Sequence, residues 1–352
     1  MTTKHYCGLD FHKNFTQICI MNQKGLIITE ERIRTNLLIT YMANKNYIIG
    51  IEASGGVFDI AEKLEAQGHI LRIINPSQFK AIGIGGKKTD KNDAKAIATA
   101  LRIDCIPEVR KKNLYSRKLK SLLKSRDFLV KTRTGFICHT RAVLREYGLI
   151  MPAGKTNFYN SVVEKINLVE CPHLRKSLFV LLQQVSDLDD QVELIEKELI
   201  SMSKEDERIQ RLQTVPGVGM LTAIAFVATV ENASYFENAD KLSSYIGLVP
   251  KEFSSGDRQR FGRITKAGPE ILRRYLIHGA RSYMRYVNRD NKDKTRRWAA
   301  RLKDKSGMNK AVVAVAHKQA KYCYAILRDG TVYKEKSSAV KRNNINTNKV
   351  AA

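Results

Sequence analysis

"KKTDKNDAKAIATALR", Lys87 to Arg102, places two acids, Asp90 and Asp93, at the head of an alanine-rich run in a strongly basic chain. The run reads as a helix. Two readings of its acids are open. Carboxylates in the first turn complement the helix dipole and help start the helix. Alternatively, residues three apart share one helix face, and the pair is then half of a metal site whose other carboxylates come from elsewhere in the chain.

The segments before this helix supply such carboxylates. "HYCGLDF" (5–11), "FTQICIMN" (15–22) and "GLIITEERI" (25–33) are short and β-rich, with turn residues between them, and read as an antiparallel meander. A short helix near Asn36 to Met42 follows, then "YIIGIEAS" as a strand, "GVFDIAEKLEAQG" as a helix ending at Gly68, and "HILRIINP" as a strand. The order β-β-β-α-β-α-β-α predicts one mixed sheet with helices packed on it. Asp10 ends the first strand and Glu52 the fourth. If those strands are neighbours, Asp10 and Glu52 face each other, and Asp90 and Asp93 project over the same edge. Four carboxylates in one place repel unless cations neutralise them. All-oxygen ligands suit Mg²⁺ or Mn²⁺, and two such ions roughly 3.5–4 Å apart clamp the attacking and leaving oxygens of a phosphodiester. His12 and Lys13 are given no catalytic role and are expected to be solvated or to face phosphate.

The charge balance points the same way. The 352 residues carry 61 Lys and Arg against 35 Asp and Glu, a net charge of +26. Such an excess attracts polyanions at long range, nucleic acid first and an anionic membrane surface second. No apolar run approaches a bilayer-spanning length and no signal-peptide pattern is present. No membrane partner is expected. The six cysteines form no CxxC pair, and Cys138-His139 and Cys171-Pro172-His173 match no common zinc spacing. Free thiols in a reducing cytoplasm are the expectation.

From Pro107 to Gly148 the chain turns basic, with twelve Lys or Arg against Glu108, Asp127 and Glu146. Leu122, Leu129, Phe136 and Val143, with Leu123, Val130, Ile137 and Leu144 beside them, recur every seven residues and mark the buried stripe of a long helix. A second long helix carries Leu178, Val185, Val192 and Leu199 in one heptad position and Leu174, Leu181, Leu188, Ile195 and Met202 in the other. This is a coiled-coil seam. Nine acids between Asp187 and Glu207 make the helix acidic. The two helices, joined by a loop containing Pro152 and Pro172, can pair as a hairpin or between chains, since heptads do not name the partner.

Two motifs follow. "LQTVPGVGMLTAIAFVATV", Leu212 to Val230, sets Pro-Gly-Val-Gly between apolar helical runs. Gly217 and Gly219 permit close backbone approach, and the next helix begins with free N–H groups that suit a phosphate. This is a helix-hairpin-helix pattern, which grips a nucleic-acid backbone without reading bases; an ordinary helical turn is the plainer reading. "YIGLVPKEFSSGDRQRFGRITKAGPEILRR", Tyr245 to Arg274, carries Arg258, Arg260, Arg263, Lys266, Arg273 and Arg274. Arginine forks onto phosphate oxygens. A hydroxyl of Ser254-Ser255-Gly256 is then either beside a bound phosphodiester or part of a flexible turn. The stretch "KEKSSAVKRNNINTNKVAA" at the carboxy end is polar and aperiodic and is expected to be disordered.

Together "GLDFHK", "IEASGG", "KTDKNDAKAIA", "TVPGVGMLTA" and "YIGLVPKEFSSGDRQRFGRITKAG" resemble the DEDD-type insertion-sequence transposases, the bridge-RNA-guided recombinases, over nearly the whole chain up to about Asp329. The resemblance implies an α/β RNase H-like (RuvC-like) domain over 1–105, a helical coiled-coil oligomerisation segment over 106–207, a mostly helical transposase domain over 208–330 and a disordered tail over 331–352. It implies metal binding by Asp10, Glu52, Asp90 and Asp93, and a serine nucleophile that forms a 5′-phosphoserine link to DNA. The matching position is Ser255, with Ser254 the alternative. It implies nucleic-acid contact at Gly217, Gly219, Arg258, Arg260, Arg263 and Lys266. The implied partners are donor and target DNA, a structured guide RNA from the same element, and further copies of the chain in a dimer or tetramer. One departure is Pro269, where the family has a small polar residue; proline is tolerated at a helix start.

Two other functions fit parts of the pattern. A RuvC-like Holliday-junction resolvase or structure-specific endonuclease uses the same acids with water as nucleophile and has no need of Ser255. A non-enzymatic nucleic-acid-binding protein needs neither metal nor serine, but four acids facing DNA repel it unless they hold a cation.

Overall fold

The computed structural model describes residues 4–81, 89–253, 260–289 and 293–335. The chain divides into two compact units, Met1–Lys112 and Asn113–Ala352.

The first unit is built on a five-stranded mixed sheet. β1 (His5–Phe11), β2 (Phe15–Met21) and β3 (Ile27–Arg34) form an antiparallel meander. After α1 (Leu38–Met42), β4 (Tyr47–Glu52) returns parallel to β1; after α2 (Val57–Ala66), β5 (Ile70–Ile74) adds parallel to β4. The order is β3-β2-β1-β4-β5. α3 (Pro76–Ala81) and α4 (Asp90–Arg102) complete the unit.

Alternation along β1 and β4 sorts the two faces. Cys7, Leu9, Ile49 and Ile51 enter a core closed by Leu38, Met42, Val57, Ala61 and Leu64 of α1 and α2. The opposite face carries Gly8 and Gly50 and receives α4, which buries Ala94, Ala98, Ile97 and Leu101 there. β3 at the edge is largely exposed and charged, a composition that discourages pairing with another sheet.

Among the described residues, the second unit is helical apart from one small hairpin. α5 (Leu114–Glu146), α6 (Lys155–Asn167) and α7 (Pro172–Ser203) come first. α6 lies in the segment that the sequence reading treated as a loop containing Pro152 and Pro172. Its Phe158, Val162 and Ile166 recur every four residues and are buried with Ile137, Leu144, Leu178 and Val185 of the two long helices. Within this chain, then, the basic and acidic helices pair as a hairpin. Glu196 accepts from Arg126 Nε at 2.6 Å, and Asp189 accepts from Lys155 Nζ at 2.7 Å and also from Arg133 and the Tyr159 hydroxyl. Those contacts hold Asp189 ionised below the usual carboxylate range despite its burial.

α8 (Glu207–Gln213), α9 (Met220–Val230), α10 (Ala239–Ile246), β6 (Pro250–Glu252), β7 (Phe261–Ile264), α11 (Glu270–Tyr283), α12 (Lys294–Ser306) and α13 (Met308–Asp329) follow. α9 is apolar on nearly every side and is correspondingly enclosed. Ile224, Phe226 and Val227 sit in one core with Leu119 and Leu123 of α5, Leu199 of α7, Leu276 of α11 and Val315 of α13. The two long helices therefore share their core with the helices that follow. Beyond α13 the described chain packs back: Tyr333 N–H donates to Thr214 Oγ1 at 2.8 Å, and its ring meets Tyr322 edge-on. Of the tail that was expected to be disordered, 336–352 lies outside the described residues.

Candidate metal centre and nucleic-acid cleft

The parallel register of β1 and β4 runs to Leu9↔Ile51, so Asp10 and Glu52 stand side by side at the carboxyl ends of neighbouring strands. Both fall on the face that carries Gly8 and Gly50. A Cβ at Gly8 would lie 2.0 Å from the Ala94 carbonyl oxygen, and one at Gly50 would lie 2.7 Å from Ile97 Cγ2. The missing side chains let α4 settle on the sheet with its first turn at the strand ends. Asp90 opens that helix and Asp93 lies one turn on. The cap itself is Thr89, whose hydroxyl accepts from Asn92 N–H at 3.2 Å. The aspartates are therefore not the residues that cap the helix.

Asp10 is half-buried, its side chain 15% exposed, and its Oδ2 lies 3.2 Å from His12 Nε2. Asp10, His12 and Asp90 each offer one ligand atom, and the three atoms lie within 4.8 Å of one another. Burial raises the Asp10 carboxyl above the usual carboxylate range; His12 opposes that shift, while the negative charges of Asp90 and Asp93 add to it. Of the four acids read from the sequence, Asp10 and Asp90 thus offer donor atoms to one group, Asp93 acts on Asp10 through its charge, and Glu52, half-buried, ends the neighbouring strand. Oxygen donors crowded at mutual electrostatic cost fit a hard divalent cation such as Mg²⁺ or Mn²⁺. His12 had been given no role. The spacing Asp-x-His at a strand end puts both side chains on one side, but that spacing alone does not separate a ligand from a solvated side chain.

In the second unit the Pro216-Gly217-Val218-Gly219 turn joins α8 to α9 as a tight hairpin. Gly217 has φ +86°, and its backbone touches α11: a Cβ on Gly279 would lie 2.0 Å from the Gly217 carbonyl oxygen. Gly217 therefore serves helix packing. Gly219 differs. It precedes α9 without a side-chain cap, and open space surrounds the place a Cβ would take. Beside it lies a cleft of about 920 Å³ between this turn, α5 and α11, with Arg126, Lys131, Arg274 and His278 on its walls. Asp127, on the same wall as Arg126, accepts from the Tyr275 hydroxyl at 2.8 Å and from Arg274, which fixes that guanidinium. Sequence reasoning missed Lys131 and His278, because nothing local marks which turns of two distant helices will face each other.

The basic run divides by role. Arg260, Arg263 and Lys266 are exposed on the β6–β7 hairpin and its exit. Arg273 is buried, donating to the carbonyls of Ile246 at 2.9 Å and Ala267 at 2.6 Å, so it holds the loop before α11. Pro269 stands at the cap of α11, consistent with a helix start. Ser254, Ser255 and Arg258 fall between β6 and β7 in sequence and lie outside the described residues.

Residues 7–149 match a model for DEDD transposases of the IS110 kind. Residues 209–296 match one described as "Transposase IS116/IS110/IS902 family". The chain is similar to the transposase for insertion sequence element IS1111A of Coxiella burnetii, 34% identical over 333 residues covering 93% of this chain and 90% of the relative. It is similar to a probable family 20 transposase of Pseudomonas aeruginosa, 29% identical over 93% of this chain and 98% of the relative. It also resembles the pilin gene-inverting protein of Moraxella lacunata, 25% identical over 93% of this chain and 96% of that one.

Proposed function

The chain belongs to the IS116/IS110/IS902 transposase family and is a DNA transposase, and from that premise we propose that it cuts and rejoins DNA with a metal-bound acidic site and a serine nucleophile. The observation that carries the proposal is the meeting of Asp10 and Asp90 donor atoms at the strand edge where Glu52 also ends. The sheet order β3-β2-β1-β4-β5, with β1 central and acids at its carboxyl end, supports an RNase H-like reading of the first unit.

A divalent cation held there supplies positive charge to the oxygens of a phosphodiester under displacement. Asp10, Glu52, Asp90 and Asp93 would hold it. Ser255 Oγ forms a bond to phosphorus, the bond from phosphorus to the 3′ oxygen breaks, and the serine proton passes to solvent while the departing 3′ oxygen takes one up to become a hydroxyl. The result is a 5′-phosphoserine intermediate, and reversal onto a second strand rejoins DNA. The name of the Moraxella relative, a gene-inverting protein, supports a reaction in which cut ends are rejoined.

Nucleic acid is held by charge. Arg260, Arg263 and Lys266 with Arg258, and the cleft beside Gly219, take phosphates. Sequence choice is left to a guide RNA from the same element, which the net charge of +26 also serves. The long helices, 106–207, carry self-association through their outer face, where Val180 and Leu194 are exposed.

The test uses full-length protein with its copurifying RNA and a DNA substrate. Asp10→Asn should bind both nucleic acids and cleave neither strand, and excess chelator should abolish wild-type cleavage. Ser255→Ala should bind yet leave no protein–DNA adduct on a denaturing gel. Cleavage by Asp10→Asn at the wild-type rate refutes the metal reading, and an unchanged adduct in Ser255→Ala refutes the serine.

A further inference from the structure

We propose that His12 is a direct ligand of the cation held by Asp10 and Asp90, so that the centre is a mixed nitrogen–oxygen site that favours Mn²⁺ over Mg²⁺ and Ca²⁺. The inference rests on the metal reading above and adds to it the identity of a donor and, through that donor, of the ion.

Three observations carry it. The first is position. His12 directly follows β1, two residues after Asp10, so the two side chains leave the chain on the same side. Its Nε2 lies 3.2 Å from Asp10 Oδ2, and the Asp90 donor completes a set within 4.8 Å. No acid from the second strand is needed to bring these three atoms together.

The second is support. A residue at the tip of a turn is often free to wander, but the backbone of His12 is tied down on both sides. Its N–H donates to the Phe15 carbonyl at 3.2 Å. Its carbonyl accepts from Thr35 Oγ1 at 2.7 Å, and Thr35 is bonded in turn to the buried Thr16 hydroxyl at 2.9 Å. The imidazole is therefore launched from a fixed point, which is what a ligand position requires.

The third is surroundings. On its outer side His12 borders a pocket of about 330 Å³ that it shares with Lys13, Arg32 and Asp90. A cation at the three donors opens toward a cavity with two positive side chains, suited to the phosphate of a substrate strand. His12 thus stands between the acids and the place where the anion would enter.

The chemical consequence follows from ligand type. Mg²⁺ and Ca²⁺ bind oxygen almost exclusively; Mn²⁺ shares their taste for oxygen but, as a first-row transition ion, accepts an imidazole nitrogen more readily than they do. An Asp₂His face therefore raises affinity for Mn²⁺ with little effect on Mg²⁺.

The experiment is pulsed electron paramagnetic resonance of Mn²⁺ bound to nuclease-treated full-length protein, with affinities from Mn²⁺ titration and Mg²⁺ competition. Wild type should show nitrogen modulation from a coordinated imidazole, and this should change from the ¹⁴N to the ¹⁵N pattern when histidine alone is ¹⁵N-labelled. His12→Ala, at a well-exposed position, should lose the modulation and bind Mn²⁺ about tenfold more weakly or worse, with Mg²⁺ affinity altered far less. Wild-type Mn²⁺ without histidine modulation, or with modulation that persists in His12→Ala, overturns the proposal while leaving the acidic site standing. If Asp10→Asn binds Mn²⁺ as tightly as wild type, the metal reading itself fails, and the proposal with it.

Discussion

Asp10 is held where an isolated carboxylate would rather not be charged. Burial raises its pKa, and Asp90 and Asp93 push in the same direction. Its folded value thus lies above the unfolded one. Between those two values the native state holds the extra proton, so stability falls as pH rises through that window and stays lowered above it. In chelator-treated protein Asp10→Asn removes this burden. The variant should melt at a higher temperature than wild type at neutral pH, and the gain should vanish as pH falls below about 4, near the unfolded carboxyl value. Thermal melts of both proteins across that range check it, and a variant less stable than wild type at pH 7 contradicts it. The residue was legible in the sequence because Asp at a strand end, Glu at another and Asp-x-x-Asp at a helix start have few joint explanations. His12 was not legible, since a histidine after a strand reads equally well as a solvated side chain until a distance is known.

At the scale of elements, period was a good guide and partner choice was not. The strands of the first unit appear within a few residues of their expected limits, because alternation and turn residues agree there. α6 went unread although Phe158, Val162 and Ile166 are properly spaced, because flanking prolines suggested a loop. β6 and β7 went unread because strands so short and exposed leave no alternation. The heptads of α7 could not say what they face. Val185 and Val192 are buried inside this chain, at 0% and 5% exposure. Replacing both with Lys should therefore destabilise the second unit itself, by roughly 3–5 kcal/mol or more, as buried unpaired charges do. Val180→Glu with Leu194→Glu, on the exposed face, should leave the urea midpoint nearly unchanged and reduce the mass seen by light scattering. The assignment of self-association to that face falls if the mass does not change.

The whole molecule is a polycation, and its binding should behave accordingly. A protein that neutralises 6–10 phosphates loses about 10³–10⁵ in affinity between 50 and 200 mM salt. Wild type bound to duplex DNA of arbitrary sequence should fall in that class by fluorescence anisotropy. Lys131→Ala should reduce the slope of log K against log salt by about one, the signature of one phosphate contact removed. An unchanged slope would mean that the cleft holds no phosphate in the complex. This level was the most readable from composition alone. The placing of charge was not: Arg273 counts toward the total yet faces two backbone carbonyls inside the fold.

The touch of Gly217 on Gly279 has a consequence for how the gene can vary. Any single-base change in the first two positions of a glycine codon either adds a side chain or ends the protein, and changes in the third position are silent. At these two codons every mutational step that adds a side chain drives an atom into backbone. A library of single-base variants, sorted by a folding reporter and then sequenced, should return only silent changes at both, while the codon for Gly219, which faces open space, keeps alanine and serine. Drift across this family would then pass freely over one glycine of the turn and stop at the other.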